Sequence, residues 1–437
     1  MKTLIFTLAF GGMLAGGAMA QPVLLNQTKP KAIAAALIDR LGEGDFSGAG
    51  RDFDDNLKLN LPPEKLKAAW RSITAMAGPY KQQLQVRAEN SPQGTMVTIL
   101  CDFTKFPMES RILVSADLRI KSFWCAPAVT APPGYTNSAL FTEEPLSFAA
   151  QGATLNGTLT LPKGDGPFKA LLLVHGSGPH DRDETIGPNK PFRDIAAGLA
   201  SRNIAVFRYD KRRAYPTGVT YADITVKEEV LYDALAAAAA LRSDRRVNPE
   251  GIYVLGHSLG GQLAPWIAKS DDKIAGIVVA AGPVGSFGET VLRQSIYLAE
   301  LDGTVTDEER AAIEALKKQA ALADGPELDE NTPAKDLPLG LNPKYLLSLR
   351  RCEPVTTAAG LQIPLLVLQG ERDYQVTMED LRSWKDGLTG KTNAVLKSYP
   401  GLNHLFMRGE GPGNPSEYMS PGNVAEEIIT DIAAWLK

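Results

Sequence analysis

Short runs of apolar residues recur along the second part of the chain and are separated by stretches with helical spacing. The runs cover residues 170–174, 204–209, 251–255, 274–280 and 364–369. Runs this short and this apolar are typical of strands that are buried on both faces of a sheet. The stretch between the second and third runs, residues 226–242, has clear helical spacing. Strands that alternate with helices predict an α/β fold with a mostly parallel sheet and helices on both faces.

The part of the chain before these runs has a different pattern. Helical spacing at residues 32–41 and 62–76 is followed by apolar-polar alternation at residues 82–86, 95–103 and 111–123. This order predicts a small α+β domain over residues 21–126, with helices on one face of an antiparallel sheet. Residues 127–145 are rich in proline, which is typical of a linker. The second domain is therefore expected over residues 146–437.

Two segments of the second domain depart from the regular alternation. Residues 146–161 alternate around Leu155-Asn156-Gly157, which predicts a β-hairpin that turns at this tripeptide. Residues 281–363 are too long for a simple crossover and contain helical stretches at 288–301, 307–323 and 343–350. We expect these helices to form a cap inserted at about residues 286–360, over the carboxyl edge of the sheet.

The N-terminus has the layout of a cleavable signal peptide. Lys2 precedes an apolar stretch over residues 4–14, and small residues follow up to Ala18-Met19-Ala20. The apolar stretch is shorter than the roughly 20 residues of a bilayer span and is interrupted by glycines. We expect removal of residues 1–20, a mature chain that starts at Gln21, a secreted or periplasmic location and no stable membrane span.

Charge and cysteine content limit the partners. The chain has 46 Lys and Arg against 50 Asp and Glu with no long run of one sign, so nothing points to nucleic acid, and a small molecule is the expected partner.

Cys101 and Cys125 lie in two alternating segments, so a bridge between neighbouring strands is geometrically possible, and buried free thiols are the alternative. None of the cysteines, which include Cys352, has metal-ligand spacing, so no zinc site is expected.

The strongest motif for chemistry is Gly256-His257-Ser258-Leu259-Gly260. It follows the apolar run 251–255 and precedes a helical stretch, which places Ser258 on a sharp turn between a strand and a helix. Glycines leave the room that such a strained turn needs. This placement predicts that Ser258 is a nucleophile and that Gly256, His257 and Gly260 form the turn around it.

A serine hydroxyl needs a base to take its proton, and the base is nearly always an imidazole. The chain has 4 histidines. His257 belongs to the serine turn, and its side chain is expected to point away from the hydroxyl. His175 and His180 precede the serine, whereas enzymes with such a turn have the order serine, acid, histidine. His404 is therefore the predicted base.

The acid that orients this base should follow a strand between the serine and the histidine. Asp373 follows the run 364–369 and is the predicted acid, with Glu371 and Asp380 as competitors. A carboxylate at this position holds the imidazole in one tautomer and stabilises its charged form.

The reaction of a serine with a carbonyl also needs backbone amides that bind the oxyanion. One is expected from Leu259, the residue after the nucleophile. The other is expected from the loop at residues 175–179, with the Ser177 amide as first choice and that of Gly176 as the alternative. The charged segments 181–184 and 210–213 are interpreted as solvated or paired with each other rather than as pocket lining.

Taken together, these motifs resemble those of bacterial α/β-hydrolases related to the prolyl-oligopeptidase-like esterases. The resemblance covers residues 146–437 and rests on Val174-His175-Gly176-Ser177-Gly178-Pro179, Arg208-Tyr209-Asp210-Lys211-Arg212 and Gly256-His257-Ser258-Leu259-Gly260-Gly261. It implies an α/β-hydrolase fold with a cap insertion, and a carboxylesterase that acts on short acyl chains. The segment from Gly44-Asp45-Phe46 to Gly78-Pro79-Tyr80 is similar to a small domain of unknown function that precedes such hydrolases, with a nuclear-transport-factor-like shape.

We therefore predict a serine hydrolase that cleaves carboxylic esters through Ser258, His404, Asp373 and an acyl-enzyme, without a metal ion or an organic cofactor. Two alternatives stay open. The same machinery would serve a serine peptidase or amidase if the leaving amine is protonated. The other alternative is a non-catalytic binding protein on a hydrolase fold.

Overall fold

The computed structural model describes residues 27–212 and 224–436, so the expected signal peptide lies outside the described residues. The first domain places helices against one face of a four-stranded antiparallel sheet, as expected. A helix ends where a left-handed glycine follows it, as at Gly44 with φ 81°. The elements are α1 Thr28–Glu43, α2 Phe46–Ala49, α3 Asp55–Asn60, α4 Pro63–Ala77, β1 Tyr80–Ser91, β2 Gly94–Phe103, β3 Met108–Val114 and β4 Ile120–Pro127.

The prediction of one alternating strand over residues 111–123 is wrong, because the segment holds two strands. A turn separates β3 from β4, with the Ser115 amide donating to the Arg119 oxygen at 2.9 Å and Leu118 at φ 63°. The turn contains neither glycine nor proline, which are the usual markers of such a reversal. The alternation continues on both sides of the turn, so the pattern alone did not reveal it.

Cys101 and Cys125 are free thiols and do not form the disulfide that was one of the two alternatives. They lie on β2 and β4, and β3 runs between these strands, so they are not on neighbouring strands. Burial raises the pKa of Cys101 to about 11 and that of Cys125 to about 12. Both thiols therefore stay protonated near neutral pH.

The segment between the two domains lies on the surface of the second domain. The Tyr135 hydroxyl donates to the Val424 oxygen at 2.7 Å, and Asn423 Nδ2 donates to the Ala131 oxygen at 3.0 Å. The Thr130 amide donates to the Pro188 oxygen at 2.9 Å. The linker expected over residues 127–145 is therefore anchored, and its last part already belongs to a strand of the second domain.

The second domain is built on an eight-stranded sheet with the order β12-β11-β10-β9-β7-β8-β6-β5. β5 and β6 are antiparallel to their neighbours, and the other strands run parallel, as predicted. The first and last of these strands in the sequence form the two edges. The strands are β5 Phe141–Ala150, β6 Ala153–Pro162, β7 Phe168–Val174, β8 Ala205–Tyr209, β9 Val247–His257, β10 Gly276–Ala280, β11 Leu365–Gly370 and β12 Ala394–Tyr399.

The hairpin of β5 and β6 exists, but its predicted turn at Leu155-Asn156-Gly157 is wrong. The chain turns at Gln151 and Gly152, and Ala150 pairs with Ala153. Gly157 lies inside β6, where a Cβ atom would lie 2.5 Å from the Phe207 ring. This glycine therefore allows close packing of neighbouring strands and does not form a turn.

Both faces of the sheet are covered by helices, as the apolar runs predict. In β7, Ala170, Leu172 and Val174 belong to one hydrophobic core, and Leu171 and Leu173 belong to the core on the other face. Helices α6 and α7 contribute to the first core, and α5 and α13 to the second. α12 also contributes to the first core, through Trp384. The five helices are α5 Pro191–Ala200, α6 Tyr232–Arg242, α7 Leu259–Ser270, α12 Met378–Gly387 and α13 Glu426–Trp435.

The expected helical insertion lies between β10 and β11. Its helices are α8 Phe287–Glu300, α9 Asp307–Asp324, α10 Pro343–Arg350 and α11 Pro354–Gly360. α8 and α9 both begin with a capping box, in which Ser286 and Thr306 accept from the third helical amide. Within residues 27–212 and 224–436, no helix is both long and apolar enough to cross a bilayer.

The hydrophobic core of the first domain shares no residue with the two cores of the second, which predicts separate effects on stability. Leu37 is 1% exposed in the core of the first domain, and Leu172 is 0% exposed in the second. We expect Leu37→Ala to destabilise only the first domain and Leu172→Ala only the second, each by about 2–5 kcal/mol, because each leaves a cavity in one core. Differential scanning calorimetry of both variants measures this. If both variants shifted the same transition equally, the two cores would not be independent.

Candidate functional site

Ser258 lies on a strained turn between β9 and α7. Its φ of 53° and ψ of −119° are rare for a residue other than glycine, and its amide donates to the Ala280 oxygen at 2.9 Å. The side chain is half-buried. Because the turn reverses the chain between the last residue of a strand and the first of a helix, Ser258 stands at the carboxyl edge of the sheet.

Two glycines make this turn sterically possible. A Cβ atom at Gly256 would lie 2.0 Å from the Gly260 oxygen, and one at Gly260 would lie 2.3 Å from the Val174 oxygen. Both clashes are with backbone atoms, which cannot move aside as a flexible side chain can. The glycine spacing of the motif is therefore explained by backbone contacts within the turn and with the end of β7.

His404 and Asp373 form a close pair. His404 Nδ1 lies 2.6 Å from Asp373 Oδ2, and both residues are buried. The other oxygen of Asp373 accepts from the amides of Gln375 and Val376 at 2.8 and 3.0 Å. The carboxylate is thus fixed by the turn after β11 and holds Nδ1 of the imidazole, which leaves Nε2 as the nitrogen available for proton transfer.

Neither competitor of Asp373 reaches His404. Glu371 is exposed and accepts from Ser398 Oγ at 2.8 Å. Asp380 is buried at the start of α12 and pairs with Arg293 at 2.7 Å. The structure therefore brings Asp373 alone of the three candidates to the histidine.

His257 connects the serine turn to the His404 loop. Its Nε2 lies 2.9 Å from the His404 oxygen, and the two ring centroids are 4.7 Å apart. His257 directly precedes Ser258, so this contact holds the His404 loop against the serine turn. The predicted orientation of His257, away from the hydroxyl, agrees with these contacts.

The loop after β7 lies against Ser258. A Cβ atom at Gly176 would lie 3.1 Å from Ser258 Cβ, so only glycine allows this approach without displacement. The Gly176 amide donates to Glu184 Oε1 at 2.7 Å and is therefore already engaged. This engagement of the Gly176 amide favours Ser177 as the predicted donor from this loop. Leu259 is the first residue of α7, so its amide lies among those that a helix start leaves without an intrahelical acceptor.

Glu184 is a functional candidate that sequence reasoning missed. It is 1% exposed, and its Oε2 lies 2.9 Å from His257 Nδ1. Although burial alone would raise the pKa of Glu184, the charge of His257 and hydrogen bonding to it lower the pKa to about 2. Burial alone would lower the pKa of His257, but the Glu184 carboxylate raises it. Glu184 thus joins the Gly176 loop to the serine turn. In the sequence it is one of several charged residues in segment 181–184, and nothing there separates it from the solvated or paired charges.

The charged segments 181–184 and 210–212 pair with each other and with buried partners, as the paired interpretation expects. Arg182 binds Asp210 at 2.5 Å, and Arg212 binds Asp233 at 2.6 Å. Lys211 Nζ lies 2.9 Å from Glu229 Oε1 and donates to the Gly176 oxygen at 2.6 Å. These charges are mostly buried, and Arg213 lies outside the described residues.

The remaining two histidines have structural contacts. His175 is buried, with Nε2 3.0 Å from the Asp181 oxygen, and burial lowers its pKa to about 3. His180 Nε2 lies 2.8 Å from the Ser177 oxygen. Both histidines therefore shape the loops around the site, which is consistent with their exclusion as the base.

A cavity of about 380 Å³ lies between α7 and the cap helices. Gln262 lines it from α7, and the Gln262 amide donates to the Ser258 oxygen at 3.0 Å. From the cap, Phe287, Leu346 and Leu349 contribute apolar side chains. Gln262 is therefore the link between the cavity and the serine turn, while Ser258, His404 and Asp373 are not among the residues that line the cavity.

The Glu184–His257 pair predicts a pH-dependent contribution to stability. The raised pKa of His257 gives stability that is fully present below its ordinary value of 6.5 and is lost as the pH rises through the raised value. The lowered pKa of Glu184 gives stability that is present above 4.5 and is lost as the pH falls through about 2. We expect Glu184→Gln to lower the free energy of unfolding by about 1–3 kcal/mol inside this window and by less outside it.

Thermal unfolding of the Glu184→Gln variant from pH 4 to 9, compared with the wild type, measures this difference. Glu371→Gln is the matched control, because Glu371 is exposed and does not contact a histidine in the described part of the chain. A loss of Tm that is the same at every pH would contradict the assignment of the pair.

Comparison with known families covers both domains. A family model described as "Alpha/beta hydrolase family" matches residues 171–413, and one described as "Protein of unknown function (DUF3887)" matches residues 34–123. The match to a small domain of unknown function followed by a hydrolase confirms the resemblance inferred from the motifs. The nuclear-transport-factor-like shape of the first domain stays a prediction.

Among curated proteins, the chain is similar to Esterase EstD of Thermotoga maritima, with 33% identity over 443 residues and 100% of both chains covered. Among solved structures, Est1E from Butyrivibrio proteoclasticus matches with 17% identity and a TM-score of 0.43, over 67% of this chain and 98% of that chain. The Pyrococcus furiosus esterase Pf2001 matches with 18% identity and a TM-score of 0.46, over 70% and 97% of the two chains.

Proposed function

Because this chain belongs to the alpha/beta hydrolase family, we propose that it is a serine carboxylesterase with the catalytic residues Ser258, His404 and Asp373. The observation that carries this proposal is the 2.6 Å contact between Asp373 and His404, in a loop that His257 holds against the Ser258 turn. The full-length similarity to a protein named esterase favours an ester as the substrate.

In the proposed first step, Ser258 Oγ attacks the ester carbonyl while His404 Nε2 takes its proton. Asp373 keeps the Nδ1 proton of His404 in place and stabilises the imidazolium that forms. The amides of Leu259 and Ser177 bind the oxyanion of the tetrahedral intermediate. His404 then gives its proton to the leaving alkoxide, and Ser258 remains acylated.

In the second step, His404 removes a proton from water, and the resulting hydroxide attacks the acyl carbonyl. Collapse of the second tetrahedral intermediate releases the carboxylic acid, and the proton on His404 returns to Ser258 Oγ. Both steps use the same amides and the same imidazole. Neither step uses a metal ion or an organic cofactor.

The proposed substrate has a short acyl chain. The cavity of about 380 Å³ between α7 and the cap is near the lower end of the range for small-molecule sites, roughly 300–1,000 Å³. Phe287, Leu346 and Leu349 give the cavity an apolar wall that suits an acyl group, and its other lining residues include the charged Asp324, Arg350 and Glu353. A series of p-nitrophenyl esters of increasing chain length, assayed on one preparation, would give the preference directly.

Ser258 is tested by labelling. We expect a fluorophosphonate probe to modify the wild type at Ser258, as located by peptide mapping, and to leave Ser258→Ala unmodified and inactive, with a Tm close to that of the wild type. Ser270→Ala is a suitable control, because Ser270 lies at the far end of α7. Ester turnover retained by Ser258→Ala would exclude Ser258 as the nucleophile.

Asp373 is tested by its amide. Asp373→Asn keeps the shape of the side chain but favours the wrong imidazole tautomer, so we expect kcat to fall by about 10⁴-fold with a small change in KM. The Glu371→Gln variant, two residues away, should keep its kcat. A normal kcat for Asp373→Asn would assign the acid to another residue.

The peptidase alternative is tested with matched substrates. An ester and an anilide with the same acyl group differ in the leaving group, and only the amine needs protonation before it leaves. We expect kcat/KM for the ester to exceed that for the anilide by several orders of magnitude. Comparable values would favour an amidase.

We also propose that the protein is exported and loses residues 1–20. The support is the sequence pattern of a charged residue, an apolar stretch and Ala18-Met19-Ala20. N-terminal sequencing of the protein recovered from outside the cytoplasm of a bacterial host should begin at Gln21. An intact Met1 on that protein would contradict cleavage.

A further inference from the structure

The peptide group between Gly176 and Ser177 is held by a buried cation. Lys211 Nζ donates to the Gly176 oxygen at 2.6 Å, and Lys211 is 2% exposed. The same ammonium lies 2.9 Å from Glu229 Oε1, whose side chain is 0% exposed. A buried ammonium is costly unless it is paired, so its place beside one backbone carbonyl calls for an explanation.

This contact fixes the direction of the Ser177 amide. Among the described residues the only cis peptide bond is Gly166-Pro167, so the Gly176–Ser177 peptide is trans. In a trans peptide the carbonyl and the N–H point in opposite directions. With its oxygen bound to Lys211, the peptide directs the Ser177 N–H away from the buried ammonium. The preceding peptide is fixed as well, because Glu184 accepts from the Gly176 amide at 2.7 Å.

The contact also strengthens the Ser177 N–H as a donor. Hydrogen bonds to a charged group are stronger than neutral ones, and hydrogen-bonded groups in series polarise one another in a low-dielectric interior. A cation on the carbonyl oxygen withdraws electron density from the peptide, so the N–H of the same peptide carries more positive charge. An amide held in this way needs no reorganisation when an oxyanion develops.

We propose that Lys211 is a positioning residue for catalysis, which orients and polarises the Gly176–Ser177 peptide so that Ser177 N–H binds the oxyanion. This inference rests on the proposed function, because it needs an oxyanion formed at Ser258. Lys211 acts through the peptide and does not touch the substrate. Glu229 serves to hold the ammonium, and the pair is therefore one functional unit.

The neighbouring Arg212 provides a matched control. Arg212 and Asp233 form an equally buried ion pair, with side-chain exposures of 1% and 0%. The Arg212 guanidinium donates to the oxygens of Ala150 and Gln151, at the turn between β5 and β6. Removal of this pair therefore has a comparable cost for folding, but it leaves the peptide beside Ser258 unchanged.

The test compares Lys211→Met/Glu229→Gln with Arg212→Met/Asp233→Asn in the full chain. Active sites are first counted by fluorophosphonate labelling, so that kcat refers to folded enzyme only. We expect the Lys211 double variant to lose kcat by about tenfold to a hundredfold with KM changed by less than about twofold, because the oxyanion exists only in the transition state. The Arg212 double variant should keep kcat within about threefold of the wild type.

A trifluoromethyl ketone inhibitor gives a second readout, because its adduct with the serine carries an oxyanion. Its Ki should rise in the Lys211 double variant by the same factor by which kcat/KM falls. If this variant does not fold, Lys211→Gln/Glu229→Gln replaces it, so that no buried charge is left without a partner. Glutamine keeps an N–H donor on a side chain one bond shorter than that of lysine and has no charge, so we expect a smaller loss of kcat, about threefold to tenfold, with KM again unchanged.

The outcomes separate the two proposals. A wild type that neither labels at Ser258 nor turns over esters would overturn the proposed function. A wild type that does both, with Lys211 variants that keep kcat and Ki, would overturn only the role of Lys211. Equal losses in the Lys211 and Arg212 double variants would assign both pairs to folding and would also overturn the role proposed for Lys211.

Discussion

The left-handed backbone of Ser258 is the constraint on which the arrangement of the site depends. A residue with a side chain in this region costs of order 1–3 kcal/mol and persists only where its surroundings fix it. The surroundings here are the centre of the sheet, because β9 lies between β10 and β7. The Ser258 amide donates to the oxygen of Ala280, the last residue of β10, and Gly260 packs on the Val174 oxygen at the end of β7. The contacts with the sheet thus keep the half-buried serine on a sharp turn at the carboxyl edge.

The loops around this turn are fixed by buried charges as well as by apolar packing. Glu184 joins the Gly176 amide to His257, His257 binds the His404 oxygen, and Lys211 binds the Gly176 oxygen. Such groups lose much of their hydration when buried, so each needs a partner with good geometry. The same requirement makes them directional. A charged group that must be satisfied can hold a peptide in one orientation, which an aliphatic side chain cannot do.

The sequence predicted the elements whose evidence is local. Strands β7 to β11 are short apolar runs, and the Ser258 turn is a compact motif that follows one of them. β12 was not predicted, because it is an edge strand whose side chains are largely half-buried or exposed and give no apolar run. Gly157 was misassigned to a turn, since the reason for this glycine is the Phe207 ring on another strand. Glu184 and Lys211 were grouped with ordinary surface charges, because only their distant partners distinguish them.

The anchored segment after the first domain affects where the two domains can be separated. Tyr135 binds the Val424 oxygen, and the next residue, Ala425, donates to the Phe406 oxygen in the loop that carries His404. The segment that connects the two domains and the loop that carries His404 therefore both bind the chain at Val424 and Ala425. Excision of the second domain at residue 146 would remove this support and the first half of β5, whereas excision near residue 128 would keep both. A replacement of the first domain would therefore have to keep the segment at residues 128–145 with the second domain.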